Sequence, residues 1–164
     1  MRELQLRPGL ATLLDDADYE RARQFKWYAK RYGTRREALY AVRKTSRLEH
    51  PEHKQRLLAL HRWLMDLPFG DPRVIDHING NTLDNRKSNL RLASVAENNR
   101  NSKPRKNLAG FKGVSKNRNR WQATIQHRGV VRYLGSFIHP EDAARAYDKA
   151  ARELFGEFAY LNFN

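Results

Sequence analysis

The sequence predicts an α+β protein of small antiparallel sheets and few helices, and three observations predict it. From Gly110 to Asn164, the strand-like runs KGVSK, RWQATIQH and VVRYLGSF precede a single helix, the pattern of a three-stranded antiparallel sheet packed on one helix. From Asp71 to Asn99, many asparagines lie between two short apolar runs, RVIDHI and NLRLAS, which gives strand, long polar loop, strand, helix. Between these regions, residues 100–109 contain NSKPRKN, a basic stretch with a proline and no large apolar residue. That stretch is a linker.

Taken in order, the N-terminal third mixes strands and helix. Alternation around Leu4 and Leu6 meets a turn at Gly9, and Asp15, Asp16 and Asp18 then open a helix through Arg23. KWYAKRY and ALYAVRK, joined by GTRRE, form a hairpin. From Pro51 the apolar steps Leu57, Leu60, Leu64 and Leu67 predict a helix through ALHRWLMDL. The last helix has Pro140 in its first turn, Glu141 and Asp142 facing the positive end of its dipole, and Gly156 just past its end. Its expected buried stripe is Ala143, Ala146, Tyr147, Ala150 and Leu154, small enough for a sheet to lie close against it.

Composition narrows the partner. With 164 residues and 40% hydrophobic content the chain can bury modest cores. Its 32 Lys and Arg against 18 Asp and Glu leave a formal charge of +14, and a polyanion is the natural counterpart. The positive residues are spread along the whole chain instead of lining one amphipathic helix, which favours nucleic acid over a membrane surface. No cysteine is present, so disulfides, thiolate nucleophiles and Cys-based zinc sites are excluded, and any metal must be held by oxygen and imidazole. With no apolar h-region at the start and no run long enough to span a bilayer, a cytoplasmic location is expected.

The most specific feature is the segment around Asp76 and His77. It resembles the core of the HNH, or ββα-metal, nucleases, in which an acid-histidine pair ends one strand, an asparagine starts the next, and a last ligand lies on the following helix. Asp76, His77, Asn89 in SNLR and Asn98 in AENN fill those places, with asparagine where the last residue is usually histidine. The chemistry also demands these types. Hydrolysis of a phosphodiester needs a base near neutrality to activate water, and His77 is the candidate. The charge gathering on the phosphorane and the departing oxygen calls for a divalent cation, with Asp76 and Asn98 as its ligands. An oxygen-rich site with open water positions favours Mg²⁺ or Mn²⁺ over Zn²⁺. Adjacent strand residues point to opposite faces, so the strand must end or bend at this pair, and Gly80 suits that. Asn89 is then expected to accept a hydrogen bond from the far ring nitrogen of His77. Read singly, the asparagines of GNTLDN suit turns with positive φ, and an Asp-His pair on a loop is a common surface feature. LHRWLM also resembles the stretch that precedes the phage-type HNH core, so His61 is either catalytic or a hydrogen-bonded structural residue, the latter favoured by its leucine neighbours.

Beyond the linker, FKGVSKNRNRWQATIQHRGVVRYLGSF and EDAARAYDKAARELFGEFAYLNF resemble the AP2 domain, whose exposed sheet face lies in the DNA major groove. On this resemblance Trp121, Ala123 and Ile125 face the helix, while Gln122, Thr124, Gln126 and Tyr133 face outward to read bases. Lys112, Arg120 and Arg128 are placed for phosphates. Arg132 is awkward, because strict alternation turns it inward beside Leu134. Where the AP2 family often has arginine and tryptophan, this chain has Ser115, Thr124, Gln126, Val131 and Tyr133, so its target sequence should differ. The linker residues Arg100, Lys103, Arg105 and Lys106 make either a groove-tracking tether or a solvated spacer.

Together the resemblances imply a phage or mobile-element HNH endonuclease: an N-terminal region plus nuclease core over 1–99, with the core at about 57–99, then the linker, then an AP2-like domain over 110–164. The expected partner is double-stranded DNA, with the protein a monomer or a homodimer and no protein partner implied. The competing reading is an AP2-type regulator that binds DNA without cutting it. An RNA-binding protein is a third class, disfavoured by the few aromatics on the sheet face.

Overall fold

Short strands, each with one apolar face, can be buried only by borrowing from several neighbours, and the described residues form four small sheets. The computed structural model describes residues 1–31, 38–46, 56–104 and 107–163, which fall into two compact units, Met1–Ser94 and Val95–Asn164.

In the first unit, β1 (Arg2–Arg7) and β2 (Leu10–Leu14) form a hairpin across the turn at Gly9, and α1 spans Asp16–Ala22. β3 (Tyr28–Arg31) pairs antiparallel with β4 (Leu39–Lys44) as expected, although the GTRRE connection lies outside the described residues. The helix expected from the leucine steps is shorter than the periodicity suggests. Leu57–Ala59 is a third strand, β5, on the other edge of β4, and only Leu60–Leu64 is helical, as α2. Three- and four-residue leucine spacing is equally open to a strand that turns into one helical turn, and the unfilled edge of β4 decides in favour of pairing.

β6 (Val74–His77) and β7 (Leu90–Ala93) form the two-stranded ribbon that carries the acid-histidine pair. One core joins these pieces: Leu4, Leu14, Trp27, Leu60, Leu64, Ile75 and Leu90 are buried together. The N-terminal third is thus fused to the β6–β7 ribbon by shared burial.

The second unit begins with α3 (Val95–Arg100) and continues into a sheet of β8 (Val114–Asn117), β9 (Arg120–His127) and β10 (Val130–Phe137), in the order β10-β9-β8. α4 (Pro140–Phe155) lies against it. The buried stripe of α4 is Ala143, Ala144, Tyr147, Ala151 and Phe155, rotated about one position from the expected one, with Ala146, Ala150 and Leu154 on its flank. In an alanine-rich helix the large residues set the facing side, and Phe155 buries more apolar area than Leu154 would.

Alternation on β9 holds, with Ala123 and Ile125 buried toward the helix. On β10 the pairing shifts between Tyr133 and Gly135, a bulge that inserts Leu134. The extra residue lets Leu134 pack on the helix side while Arg132, paired with Ile125, stays exposed at the far end of the strand. Among the described residues no helix is long and apolar enough to cross a membrane.

Candidate active site

β6 ends at His77. Its last two side chains diverge as pleating requires, and the chain then turns through Gly80 at φ 70°, whose amide donates to the His77 carbonyl at 2.8 Å. The asparagines of the connecting loop work as Asx turns, not through positive φ: Asn79 Oδ1 accepts from the Asn81 amide at 2.8 Å, and Asn81 Oδ1 from the Leu83 amide at 3.1 Å.

The His77 ring is buried, and its Nε2 lies 3.3 Å from Asn85 Oδ1. This is the position expected of Asn89. Asn89 instead pins the loop: its Oδ1 accepts from the Asn79 amide at 3.0 Å and its Nδ2 donates to the Asp84 carbonyl at 2.8 Å. The reason is geometric. Asn89 closes a 3₁₀ turn (Lys87–Asn89) at the mouth of the ribbon and its carbonyl is bonded by the Ile78 amide, so its side chain looks along the loop while Asn85 looks at the ring.

Two further aromatic groups frame His77. The His61 ring stands edge-on to it at 5.3 Å and 80°, and Tyr40 lies 5.5 Å from His61 and 6.3 Å from His77. Removal from solvent pushes His61 down to about 3, with repulsion from His77 and Arg62 adding to it. Burial also lowers His77, partly opposed by the hydrogen bond to Asn85 Oδ1 and the carboxylates of Asp76 and Asp84. Both rings are therefore neutral at pH 7.

Asp76 is buried and paired across the ribbon with Arg91, whose Nε and Nη2 donate to Asp76 Oδ2 at 2.9 and 2.7 Å. Neither Asn85 nor Arg91 was legible as a site residue. Arg91 becomes Asp76's neighbour only through the β6–β7 register, and Asn85 sits among turn asparagines that look alike in sequence. Arg62 holds the 68–73 loop, donating to the carbonyls of Arg73 at 3.0 Å and Pro68 at 2.9 Å. Asn98 lies half-buried on α3, in the second unit.

In that second unit, Gln122, Thr124, Gln126 and Tyr133 lie on the sheet face opposite Ala123 and Ile125, with Tyr133 paired to Thr124 and exposed. Arg128 is exposed at the tip of the β9–β10 hairpin. Two expected phosphate contacts have internal duties. Lys112 donates to the carbonyls of Arg100 and of Ser102, the latter at 2.7 Å, and Arg120 donates to Ser136 Oγ at 3.1 Å and the Ser136 carbonyl at 2.9 Å. Arg100 itself stacks over Phe155 at 5.1 Å, so the start of the linker packs on this unit. Lys103 is exposed, while Arg105 and Lys106 lie outside the described residues.

These features can be set beside known proteins. The HNH endonuclease family profile matches residues 58–100. An uncharacterized HNH endonuclease of Acanthamoeba polyphaga mimivirus is 38% identical over 109 residues, 64% of this chain and 57% of that protein, so the chain spans little more than half of that relative. Protein 3.8 of Escherichia phage T7 is 42% identical over 95 residues, 56% of this chain and 78% of the phage protein. The C-terminal region is similar to an ethylene-responsive transcription factor of Arabidopsis thaliana, 53% identical over 57 residues, 33% of this chain and 22% of the plant protein. No solved structure matches significantly. With β6, β7 and the acid-histidine pair inside the matched segment, the chain belongs to the HNH endonuclease family.

Proposed function

We propose that this protein hydrolyses phosphodiester bonds of double-stranded DNA in a metal-dependent reaction, and that its C-terminal unit is an AP2-like DNA-binding module. The observation that carries the reading is His77, a buried neutral imidazole directly after a buried carboxylate at the end of β6. His77 accepts a proton from water, and the hydroxide so formed attacks phosphorus in line with the departing 3′ oxygen, which takes a proton from solvent water as its bond to phosphorus breaks, leaving 5′-phosphate and 3′-hydroxyl ends. Asn89 holds the loop that follows the base in place.

The Asp76 carboxylate suits a hard divalent cation. Asp76 would hold Mg²⁺ or Mn²⁺, with Zn²⁺ a poorer fit. Such an ion supplies charge that stabilises the phosphorane and the leaving oxygen. Among the described residues no group of three or more His, Asp or Glu side chains gathers into a ready-made cage, and Arg91 already balances the Asp76 carboxylate. The remaining ligands are then water and the substrate's own phosphate.

For binding, Gln122, Thr124, Gln126 and Tyr133 present an alternating polar face suited to base edges, while Arg128 and Lys103 extend into solvent where phosphates would lie. Binding energy from this unit would position the cut.

The test is supercoiled plasmid incubated with Mg²⁺ or Mn²⁺, with EDTA and a His77→Ala variant that still binds DNA as controls. Relaxation or linearisation by the wild type alone is the expected result, a monomer nicking and two copies cutting both strands. Tight binding without cleavage under either metal would leave the DNA-binding regulator as the function.

A further inference from the structure

Thr12 lies in β2, outside the segment matched by the nuclease family, and it is completely buried. Its hydroxyl donates to the Leu83 carbonyl at 2.7 Å, and Asn85 Nδ2 lies 2.7 Å from the same oxygen. A carbonyl can only accept, so the single hydroxyl hydrogen is committed to Leu83 and Thr12 Oγ1 meets Asn85 only as an acceptor. Asn85 must therefore turn its amide nitrogen toward Thr12. A second acceptor agrees, since the Thr82 carbonyl lies 3.5 Å from the same Nδ2.

That orientation leaves Asn85 Oδ1 as the atom facing His77 Nε2 at 3.3 Å. An amide oxygen has no hydrogen to give, so a neutral His77 carries its proton on Nε2. We infer that Thr12 and Asn85 are positioning residues that fix the tautomer of His77, with the proton on Nε2 and the basic lone pair on Nδ1. The backbone holds the relay in register: the Leu13 amide donates to the Leu83 carbonyl at 2.8 Å, and the Asn85 amide to the Leu13 carbonyl at 2.9 Å. The N-terminal hairpin is thus part of the machinery that aims the base. This inference rests on His77 being the general base.

The experiment uses the full chain with ¹⁵N-labelled histidine and reads the His77 ring by long-range ¹H–¹⁵N correlation above pH 7, alongside plasmid cleavage. Wild type should show the Nε2–H tautomer. Thr12→Val, which keeps the shape and removes the hydroxyl, should mix the tautomers and lower kcat about tenfold at unchanged KM, and Thr12→Ser should restore both. An Nδ1–H tautomer in wild type overturns the inference, as does a Thr12→Val protein with wild-type tautomer and wild-type kcat. Should Thr12→Val fail to fold, the wild-type spectrum alone decides. Active protein with the Nδ1–H form would sink the relay and spare the nuclease reading, whereas inactive protein with the Nε2–H form would keep the tautomer assignment and remove the reading on which the relay's role rests.

Discussion

His61 and His77 face each other with ring centroids 5.3 Å apart, and two protonated rings at that distance, largely cut off from water, would repel strongly. The folded chain therefore keeps both neutral, His61 down to about 3 and His77 below its ordinary value, burial being the larger cause in each. The unfolded chain protonates both near pH 6.5. Between about 6.5 and 3 the unfolded state binds more protons, so stability is fully present above 6.5 and falls as the pH drops through that window. The urea midpoint should be higher at pH 7.5 than at pH 5. His61→Phe, which keeps a ring against Tyr40 and His77, should reduce that difference, and an identical pH dependence in the variant would refute the assignment.

At the level of elements, the sheet-on-helix packing of the second unit turns on one glycine. Gly113 has φ 75°, and a Cβ there would stand 1.9 Å from Tyr147 Cδ2 and 2.7 Å from the Thr124 carbonyl, whose residue in turn donates its amide to the Gly113 carbonyl at 2.8 Å. The close approach lets Tyr147 of α4 lie beneath the β8–β9 pair. Gly113→Ala combines overpacking with a left-handed alanine and should destabilise the second unit by about 3 kcal/mol. DNA binding should weaken with it. A thermal melt and a gel shift check this, and a variant within about 0.5 kcal/mol of wild type would show that the packing yields.

Over the whole molecule, the positive charge is divided evenly. Residues to Ser94 hold 19 Lys and Arg against 12 Asp and Glu, and those from Val95 hold 13 against 6, an excess of seven in each unit. Under the proposed function both units would contribute to counterion release on DNA, and the second would supply specificity. Arg118 and Arg128 sit at the two hairpin tips of the C-terminal sheet with φ of 52° and 51°, where glycine or asparagine would be less strained. Replacing both by alanine should lower the slope of log K against log salt by about 2 and leave sequence preference intact. Gln126→Ala should instead alter the preferred sequence at an unchanged slope. Binding isotherms between 50 and 200 mM salt on two DNA sequences separate these outcomes, and a double variant with the wild-type slope would remove the hairpin tips from the interface.

The sequence by itself determined what depends on near neighbours along the chain. Alternation marked β9, an early proline and a following glycine bounded α4, and the order of Asp76, His77, Asn89 and Asn98 marked the nuclease segment, because turn chemistry and strand period are written locally. Tertiary structure decided what depends on register and on competition for burial. The β6–β7 register brought Arg91 to Asp76, the free edge of β4 drew Leu57–Ala59 into a strand, and the larger side chain of Phe155 set the phase of an alanine-rich helix. Thr12 and Asn85 lie 73 residues apart, and no local pattern could join them. They meet because a buried hydroxyl and a buried amide must each find partners, and among the described residues Thr12 bonds Asn85 and the Leu83 carbonyl while Asn85 also reaches His77 and the Thr82 carbonyl.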